Sequence, residues 1–198
     1  MKFLIVGFHC SGKQEVLDTL ENLGINCGKH FSNFDNPHPN IYNSYNFDIF
    51  DNKDINEIFE NNAYIYFNDI NIDNHASYKY YEGITKYEFD NNDVFALSPD
   101  QFLKISAKSI NDDVVIVWMD NNKENRLNRY REEKRSYSFS NREELEKSNI
   151  NLFAKTIYNF NNSKLIYFIN EDPNRVAVII YTLIKYPELI DIYSEYYN

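Results

Sequence analysis

The chain opens on the stretch that decides its fold, KFLIVGFHCSGKQEVLDTLENLG, which runs from Lys2 to Gly24. Lys2 to Val6 form an apolar run typical of a strand buried on both faces of a parallel sheet. After a glycine-containing loop, apolar residues recur at helical spacing: Val16, Leu17, Leu20 and Leu23. Gly24 is a residue type that commonly ends a helix. The stretch therefore predicts a strand, a loop and a helix, which together make one β-α unit.

The loop matches the pattern G-x-x-x-x-G-K of a phosphate-binding loop, with Gly7, Gly12 and Lys13 at the defined positions. Glycines let the backbone wrap closely around a phosphate, and the helix that follows directs its positive end at the anion. Lys13 is expected to reach the β- and γ-phosphates of a nucleotide. The alternative, a glycine turn formed by chance, is disfavoured by the strand and helix on either side. We therefore predict that these residues bind the nucleotide: Gly7, Cys10, Ser11, Gly12, Lys13 and Gln14.

Gln14 stands where a Ser or Thr hydroxyl normally ligates Mg²⁺. Its amide oxygen can coordinate the metal or hold one of its waters, more weakly and from a longer arm. Gln14 is therefore the candidate metal ligand. The four histidines show no metal-ligand spacing, and Cys10 and Cys27 form no C-x-x-C pair, so the sequence predicts no metal site made by protein ligands alone.

Composition limits the class of protein. The 198 residues suit a single three-layer domain, and 43% hydrophobic residues supply a core that excludes general disorder. The net charge of −10 argues against a binder of duplex nucleic acid, although it allows a local basic site for a small anion. The abundance of Asn, Ile, Tyr, Phe and Lys, which have AT-rich codons, indicates a low-GC bacterium or one of its viruses.

The cellular location is predicted from what the sequence lacks. The longest apolar run, from Val176 to Ile184, is too short to cross a bilayer. A signal peptide has a longer apolar stretch followed by a small-residue cleavage site, and the opening residues show neither feature. Two cysteines without a pairing pattern are typical of reduced thiols. We therefore expect a cytoplasmic protein with no membrane partner.

The remaining pattern predicts a three-layer α/β/α fold with a mostly parallel sheet. Further core strands are expected at 93–97, 114–119 and 165–169, and helices at 100–108, 123–135, 141–158 and 172–184. Between residues 29 and 87 the sequence is polar and aromatic, and two prolines interrupt it. We expect strands at 45–50 and 63–67 and a short helix at 53–60 there. This region is interpreted as a small, mainly β lobe inserted into the core.

Arginine is concentrated late in the chain. None occurs before Arg126, and residues 123–135 then carry six basic groups against three acidic ones. On a helix, Arg131 and Arg135 stand one turn apart, and Arg142 starts the next segment. Such a concentration suits stabilisation of the charge on a transferring phosphoryl group. The alternative is a solvated helix with i,i+4 ion pairs, but beside a phosphate-binding loop we favour catalysis by Arg126, Arg131, Arg135 and Arg142.

The order of these parts resembles the guanylate kinase branch of the P-loop nucleoside monophosphate kinases, over most of the chain. Residues 80–84, Tyr-Tyr-Glu-Gly-Ile, are similar to the family's Tyr-Tyr-Gly-Thr with one extra residue. Residues 93–101 resemble the strand that ends in Asp-Val-Gln-Gly. Arg126-Leu127 and the later arginines resemble the lid motif Arg-Leu-x-x-Arg-Gly. Residues 170–172, Asn-Glu-Asp, resemble the Asn-Asp-Asp that follows the last strand.

The resemblance implies ATP and Mg²⁺ as cofactors and a nucleoside monophosphate as the acceptor. It implies that Tyr80 and Tyr81 help hold the acceptor phosphate, that Asp100 serves the base or a metal-bound water, and that Asn170 lies beside the adenine. It also divides this single P-loop kinase-like domain into a core (1–28, 88–122 and 158–198), an acceptor-binding lobe (29–87) and an arginine-rich helical lid (123–157).

The chain departs from the family in the acceptor lobe. The motif Thr-Thr-Arg-x-x-Arg that clamps the monophosphate would fall near residues 32–39, which contain no arginine. Lys29, His30, Lys79 and Tyr81 are the candidate substitutes, although a lysine lacks the bidentate fork of arginine. The lid also lacks the glycine after its arginine.

The favoured function is transfer of the γ-phosphoryl group of Mg·ATP to a nucleoside or deoxynucleoside monophosphate. Two alternatives stay open: a catalytically impaired nucleotide-binding or protein-binding module on the same fold, and a kinase for a different small acceptor. The sequence does not specify the acceptor base, the sugar or the oligomeric state.

Overall fold

The computed structural model of the chain describes residues 1–32, 47–49, 64–67, 81–84, 86–106, 114–132, 139–158 and 163–196. Within these ranges the strands are β1 Lys2–Gly7, β2 His30–Ser32, β3 Phe47–Ile49, β4 Tyr64–Phe67, β5 Tyr81–Ile84, β6 Val94–Leu97, β7 Val114–Asp120 and β8 Ser163–Ile169. The α-helices are α1 Lys13–Asn22, α2 Lys86–Asn91, α3 Pro99–Ser106, α4 Lys123–Glu132, α5 Phe139–Tyr158, α6 Pro173–Lys185 and α7 Ile190–Tyr196. A short 3₁₀ helix, Pro187–Leu189, precedes α7.

The core is a four-stranded sheet in the order β6-β1-β7-β8, and every pair in it is parallel. β1 lies between two neighbours, so that Val6 aligns with Leu97 on one side and with Trp118 on the other. All six residues of β1 are buried, as its apolar run predicts. The mixed α/β class and the parallel sheet predicted from the sequence are confirmed.

Alternate residues of each core strand pack on opposite faces of the sheet, because successive side chains of a strand point to opposite sides. On one face, Phe3 and Ile5 belong to a cluster with residues of α1 and α6, among them Leu20 and Ile180. On the other face, Leu4 and Val6 join Phe102 of α3 and Phe153 of α5. Helices therefore cover both faces, and the arrangement has three layers.

The ends of helix α6 illustrate how local sequence sets the boundaries. Asp172 caps the helix, and its carboxylate accepts hydrogen bonds from the backbone N–H groups of Asn174 and Arg175. Pro173 occupies the first position of the helix, where a missing N–H costs nothing. The cap begins α6 just after β8, at the sheet edge that also carries the loop between β1 and α1.

A second sheet has the strand order β3-β2-β5-β4, in which β2 and β3 are parallel and the other pairs are antiparallel. The strands expected at 45–50 and 63–67 are present as β3 and β4, while β2, β5 and α2 were not predicted. The helix expected at 53–60 lies outside the described residues. The division of the chain into core, acceptor lobe and lid stays a prediction.

Because the core strands are parallel, their carboxyl ends meet at one edge of the sheet, where ligands of such folds bind. The residues that follow these ends are the loop after Gly7, Ser98 after β6, Asn121 after β7 and Asn170 after β8. Among the described helices, none combines the length and apolar character needed to cross a membrane.

Candidate phosphate-binding site

The loop between β1 and α1 has the backbone of a phosphate cradle. Cys10 and Gly12 are left-handed, with φ of 56° and 95°, and Ser11 between them is not. Such alternation turns successive N–H groups toward one concave side, where an anion binds. Gly7 is required at the start of the loop because a Cβ atom there would lie 2.6 Å from the carbonyl oxygen of Met119.

Gly12 lies against Arg129, which was not among the site residues predicted from the sequence. A Cβ atom at Gly12 would collide with the guanidinium of Arg129 and with the ring of Pro173, so that only glycine fits. Arg129 NH2 lies 3.3 Å from a carboxylate oxygen of Glu15, and its NH1 is buried with no hydrogen-bond partner among the described residues. Helix α4 therefore places a guanidinium directly against the phosphate-binding loop.

Lys13 is folded into the loop and is only 3% exposed. Its ammonium donates to the carbonyl oxygens of Gly7 and Phe8, both at 2.8 Å, and lies 3.4 Å from the hydroxyl oxygen of Ser11. The carbonyl dipoles thus compensate the buried positive charge. A phosphate in the loop would offer the ammonium charged oxygens in their place, which are stronger acceptors.

Asn121, at the end of β7, connects the loop to helix α4. Its side-chain amide donates to the carbonyl oxygen of Ser11 at 2.6 Å, and its backbone carbonyl oxygen accepts from Arg126 Nε at 3.1 Å. Arg126 also donates to Glu143 at 2.7 Å, and its guanidinium lies 5.0 Å from the ring centre of Phe8. The Arg126 NH1 group is buried without a hydrogen-bond partner in the described part of the chain.

The most deeply buried charge of the site is Glu146 on α5, which is 0% exposed. Its carboxylate accepts from the backbone N–H of His9 at 3.0 and 3.1 Å and lies 2.7 Å from Nδ1 of the same residue. Arg142, one turn earlier, donates from Nε to Glu146 at 3.1 Å. The carboxylate thus holds the phosphate-binding loop and Arg142 together.

Asp100 connects this cluster to the end of β6. One of its carboxylate oxygens accepts from the Ser98 hydroxyl at 2.6 Å and lies 3.7 Å from Arg142 NH2. The other oxygen is buried and has no hydrogen-bond partner among the described residues. An unsatisfied buried carboxylate oxygen is costly, about 1–3 kcal/mol, which is typical of a group that serves a ligand.

The electrostatics of the cluster shift three pKa values downward. Burial raises the pKa of Glu143, but hydrogen bonds from Lys123 and Arg126 outweigh it and lower the value to about 2. Burial also raises the pKa of Glu146, but the hydrogen bond with His9 and the charge of Arg142 outweigh this effect and lower the pKa. The pKa of His9 is lowered mainly by burial, against the opposing effect of Glu146. Both carboxylates are therefore ionised at neutral pH, while His9 is neutral.

The candidate metal ligand, Gln14, has an amide oxygen that is buried and lacks a partner in the described residues, while its amide nitrogen donates to Asp18 at 2.6 Å. An available oxygen suits Mg²⁺, which prefers oxygen ligands. The described residues contain no group of three or more His, Cys, Asp and Glu side chains that could hold a metal ion. The residues therefore fit a metal held mainly by phosphates, with one protein oxygen added.

The structure brings most of the selected residues together at this edge. One chain of contacts joins the loop through Glu146 and Arg142 to Asp100, and another joins Ser11 through Asn121 to Arg126. Cys10 is buried within the loop itself.

Other selected residues lie apart from these contacts. Arg131 is exposed on α4, and Asn170 is exposed with its side-chain oxygen accepting from the backbone N–H of Asn122 at 2.7 Å. The side chain of Lys29 is exposed. Tyr81 belongs to β5, and Tyr80 and Arg135 lie outside the described residues.

The residues of the site that the sequence did not point to include Arg129, His9, Glu146, Asn121 and Glu143. Arg129 carried a partial signal, because it lies in the arginine-rich stretch 123–135, one position before the place where Arg-Leu-x-x-Arg starting at Arg126 would put its second arginine. His9 and Glu146 carried none, because their contact joins residues 137 positions apart in the sequence.

The sequence comparisons give no match, either to a family model or to a curated protein. A solved structure does match: the guanylate kinase from Anaplasma phagocytophilum, with a TM-score of 0.52 over 93% of this chain and 84% of that chain. The fold is guanylate kinase-like. At 13% sequence identity this likeness concerns the fold alone, and the activity has to be argued from the residues of the site.

The lowered pKa of His9 predicts a specific pH dependence of stability. Because the unfolded chain binds a proton at His9 that the folded chain does not, the free energy of unfolding falls as the pH drops below about 6.5, by up to ~1.4 kcal/mol per pH unit. We expect His9→Asn, whose amide can still donate to Glu146, to flatten this dependence between about pH 7 and pH 5. Urea unfolding at fixed pH values measures it.

The titration of Glu143 and Glu146 does not change the free energy of unfolding between about pH 7 and pH 5. Their lowered pKa values add stability that is lost only as the pH falls below about 4.5, the ordinary value of a glutamate. An unchanged slope in His9→Asn between about pH 7 and pH 5 would contradict the account of His9.

Proposed function

We propose that the protein transfers the γ-phosphoryl group of Mg·ATP to a nucleoside or deoxynucleoside monophosphate. The observation that carries the proposal is the loop at the carboxyl end of β1, in which the buried Lys13 ammonium lies within the backbone cradle and Arg129 packs on Gly12. The guanylate kinase-like fold supports the same class of reaction.

The donor nucleotide would be held by the loop from Gly7 to Gln14. The N–H groups of the cradle and the first turn of α1 would bind its phosphates, and Lys13 would exchange the carbonyl oxygens of Gly7 and Phe8 for phosphate oxygens. We also propose that Asn170, after β8, lies near the adenine. Mg²⁺, held mainly by the phosphates with the Gln14 oxygen available to it or to one of its waters, would supply neutralisation of the phosphate charge.

Catalysis would consist mainly of positioning and electrostatic stabilisation, because phosphoryl transfer needs little covalent chemistry from the protein. Arg129 lies against the loop at Gly12, and Arg142 is connected to the loop through Glu146. Arg126 would contribute through its NH1 group, since Glu143 and Asn121 hold its other nitrogens. We retain Arg131 and Arg135 as proposed members of the lid, residues 123–157.

The acceptor would be bound beyond Asp100. The unpartnered oxygen of Asp100 can accept from an N–H of the base or from a metal-bound water, and Arg142 beside it can contact the acceptor phosphate. We propose that Tyr80, Tyr81 and Lys29 hold that phosphate from the lobe 29–87. In this proposal Lys29 takes the place of the two arginines that the resemblance would require at residues 32–39, where the sequence has none.

One observation favours the alternative of an impaired, nucleotide-binding module. Arg126 is buried at 3% exposure, and two of its three guanidinium nitrogens bond to Asn121 and Glu143. An arginine so engaged is suited to joining α4 to α5, which is a structural role. The two functions share nucleotide binding and differ in turnover.

Turnover is tested by phosphoryl transfer from Mg·ATP to each common ribonucleoside and deoxyribonucleoside monophosphate. We expect one acceptor or a small set to be phosphorylated, and Lys13→Ala to lower kcat by roughly 10²-fold or more, because it removes the ammonium from the loop. Coupled detection of the nucleoside diphosphate measures the rate. A wild-type protein that binds ATP but phosphorylates none of the acceptors would refute the kinase.

Arg129 provides the second test, because its guanidinium lies against Gly12. We expect Arg129→Ala to lower kcat by roughly 10²–10³-fold, the usual effect of losing one group that stabilises transition-state charge. Steady-state kinetics on the best acceptor measures it. Arg175→Ala is the matched control, because Arg175 is an exposed arginine whose partner in the structure is Glu171 at 3.0 Å. Equal effects of the two substitutions would rule out a role for Arg129 in the site.

A further inference from the structure

We propose that Asp18 is a positioning residue, which fixes the amide of Gln14 so that its oxygen is presented to the metal ion of a bound nucleotide. The proposal rests on the proposed function, because it assumes that the loop from Gly7 to Gln14 binds a nucleotide with its metal. It adds a residue to that site and a reason why Gln14 can replace the hydroxyl usual at this position.

The geometry places the two side chains on one face of α1. Gln14 is in the first turn of the helix, next to the loop, and Asp18 is four residues later, where side chains of a helix meet. The amide nitrogen of Gln14 donates to a carboxylate oxygen of Asp18 at 2.6 Å. This distance is short, as expected for a hydrogen bond to a charged acceptor.

The chemistry of the pair determines which end of the amide Asp18 can hold. A carboxylate only accepts hydrogen bonds, so it must bind the NH₂ end of the amide and cannot bind the oxygen. The oxygen of Gln14 is consequently left at the other end. It is buried and has no hydrogen-bond partner among the described residues. Asp18 thus converts an amide with two interchangeable ends into an oriented oxygen ligand.

The hydrogen bond to Asp18 compensates for two disadvantages of glutamine as a metal ligand, its flexible side chain and its weakly coordinating amide oxygen. Its side chain has more rotatable bonds than serine or threonine, and fixing the amide in advance removes part of the entropy that metal binding would otherwise cost. The negative charge of Asp18 also polarises the amide and makes its oxygen a better donor of electrons to a cation. Hydrogen-bond partners of metal ligands commonly act in this way.

The test measures metal binding to the nucleotide complex, without any requirement for turnover. Mn²⁺ is the probe, and electron paramagnetic resonance measures its affinity for the protein–ADP complex. Calorimetry in EDTA, which removes the metal, measures the affinity of the protein for ADP itself. We expect Asp18→Ala to weaken Mn²⁺ binding by about tenfold, near the lower end for loss of a ligand's hydrogen-bond partner. The affinity for ADP in EDTA should change by less than about twofold, because Asp18 does not hold the phosphates.

Three further variants separate positioning from a general effect of charge. Glu21→Ala removes the same charge from the same helix one turn farther on, and should leave Mn²⁺ binding unchanged. Asp18→Glu, which keeps the carboxylate, should recover most of the lost affinity. In a Gln14→Ser background, where a hydroxyl replaces the amide, Asp18→Ala should have no effect on Mn²⁺ binding.

The proposal is overturned if Asp18→Ala leaves Mn²⁺ binding unchanged, if Glu21→Ala weakens it equally, or if the loss persists in the Gln14→Ser background. A different result would refute the proposed function itself: a wild-type protein that binds no ADP in EDTA has no donor site, and the role of Asp18 fails with it. Because Asp18 and Glu21 are both exposed, their variants are expected to fold.

Discussion

A fully buried carboxylate, Glu146, is the contact on which the organisation of the site depends. A charge in the protein interior is tolerated only when partners surround it, and here the partners are the N–H and imidazole of His9 and the guanidinium of Arg142. Removing one member of such a buried set typically costs about 3–5 kcal/mol, because the remaining charge is left uncompensated. The position of the phosphate-binding loop relative to α5, and that of Arg142 beside Asp100, therefore follow from one carboxylate.

Around that carboxylate the molecule keeps an unusual concentration of cations for a protein of net charge −10. Lys13 is compensated by the backbone carbonyls of the loop, and Arg126 by Glu143 and Asn121. Arg129 nevertheless retains a buried NH1 group without a partner among the described residues, as does Arg126. Each such group costs about 1–3 kcal/mol when it is unsatisfied. Their placement at the edge where the parallel strands end is the physical reason for proposing an anionic, phosphate-bearing ligand at this edge.

The core of the fold could be predicted from the sequence because its signals are local. The apolar run of β1, the loop pattern that ends at Lys13 and the cap of α6 each specify their own structure, and the structure contains them. The strands β2 and β5 could not be predicted, because the sequence around them has neither the alternation over several residues that indicated β3 nor the apolar run that indicated β4. These strands form because they pair with strands that are distant in the sequence, and not because their own residues favour a strand.

Within the site, sequence reasoning selected the residues that carry a motif and missed those created by packing. The loop residues were found because the glycines and Lys13 have a fixed spacing, whereas Arg131 was chosen over Arg129 although the helix directs Arg129 at Gly12. Which arginine of α4 meets the loop depends on the rotation of the helix about its axis, and the ion pair between Arg126 and Glu143 of α5 is one of the contacts that hold this orientation. The role of Glu146 arises from the same approach and leaves no pattern in the sequence.

Calorimetric titration of the wild-type protein with adenosine, AMP, ADP and ATP in the presence of Mg²⁺ measures whether this edge of the sheet binds the phosphates of a nucleotide. We expect affinity to rise with each added phosphate, by at least about tenfold from AMP to ATP, because the loop and its cations would contact the phosphates. Equal affinity along the series, or no binding of ATP, would show that the phosphates are not bound at this edge.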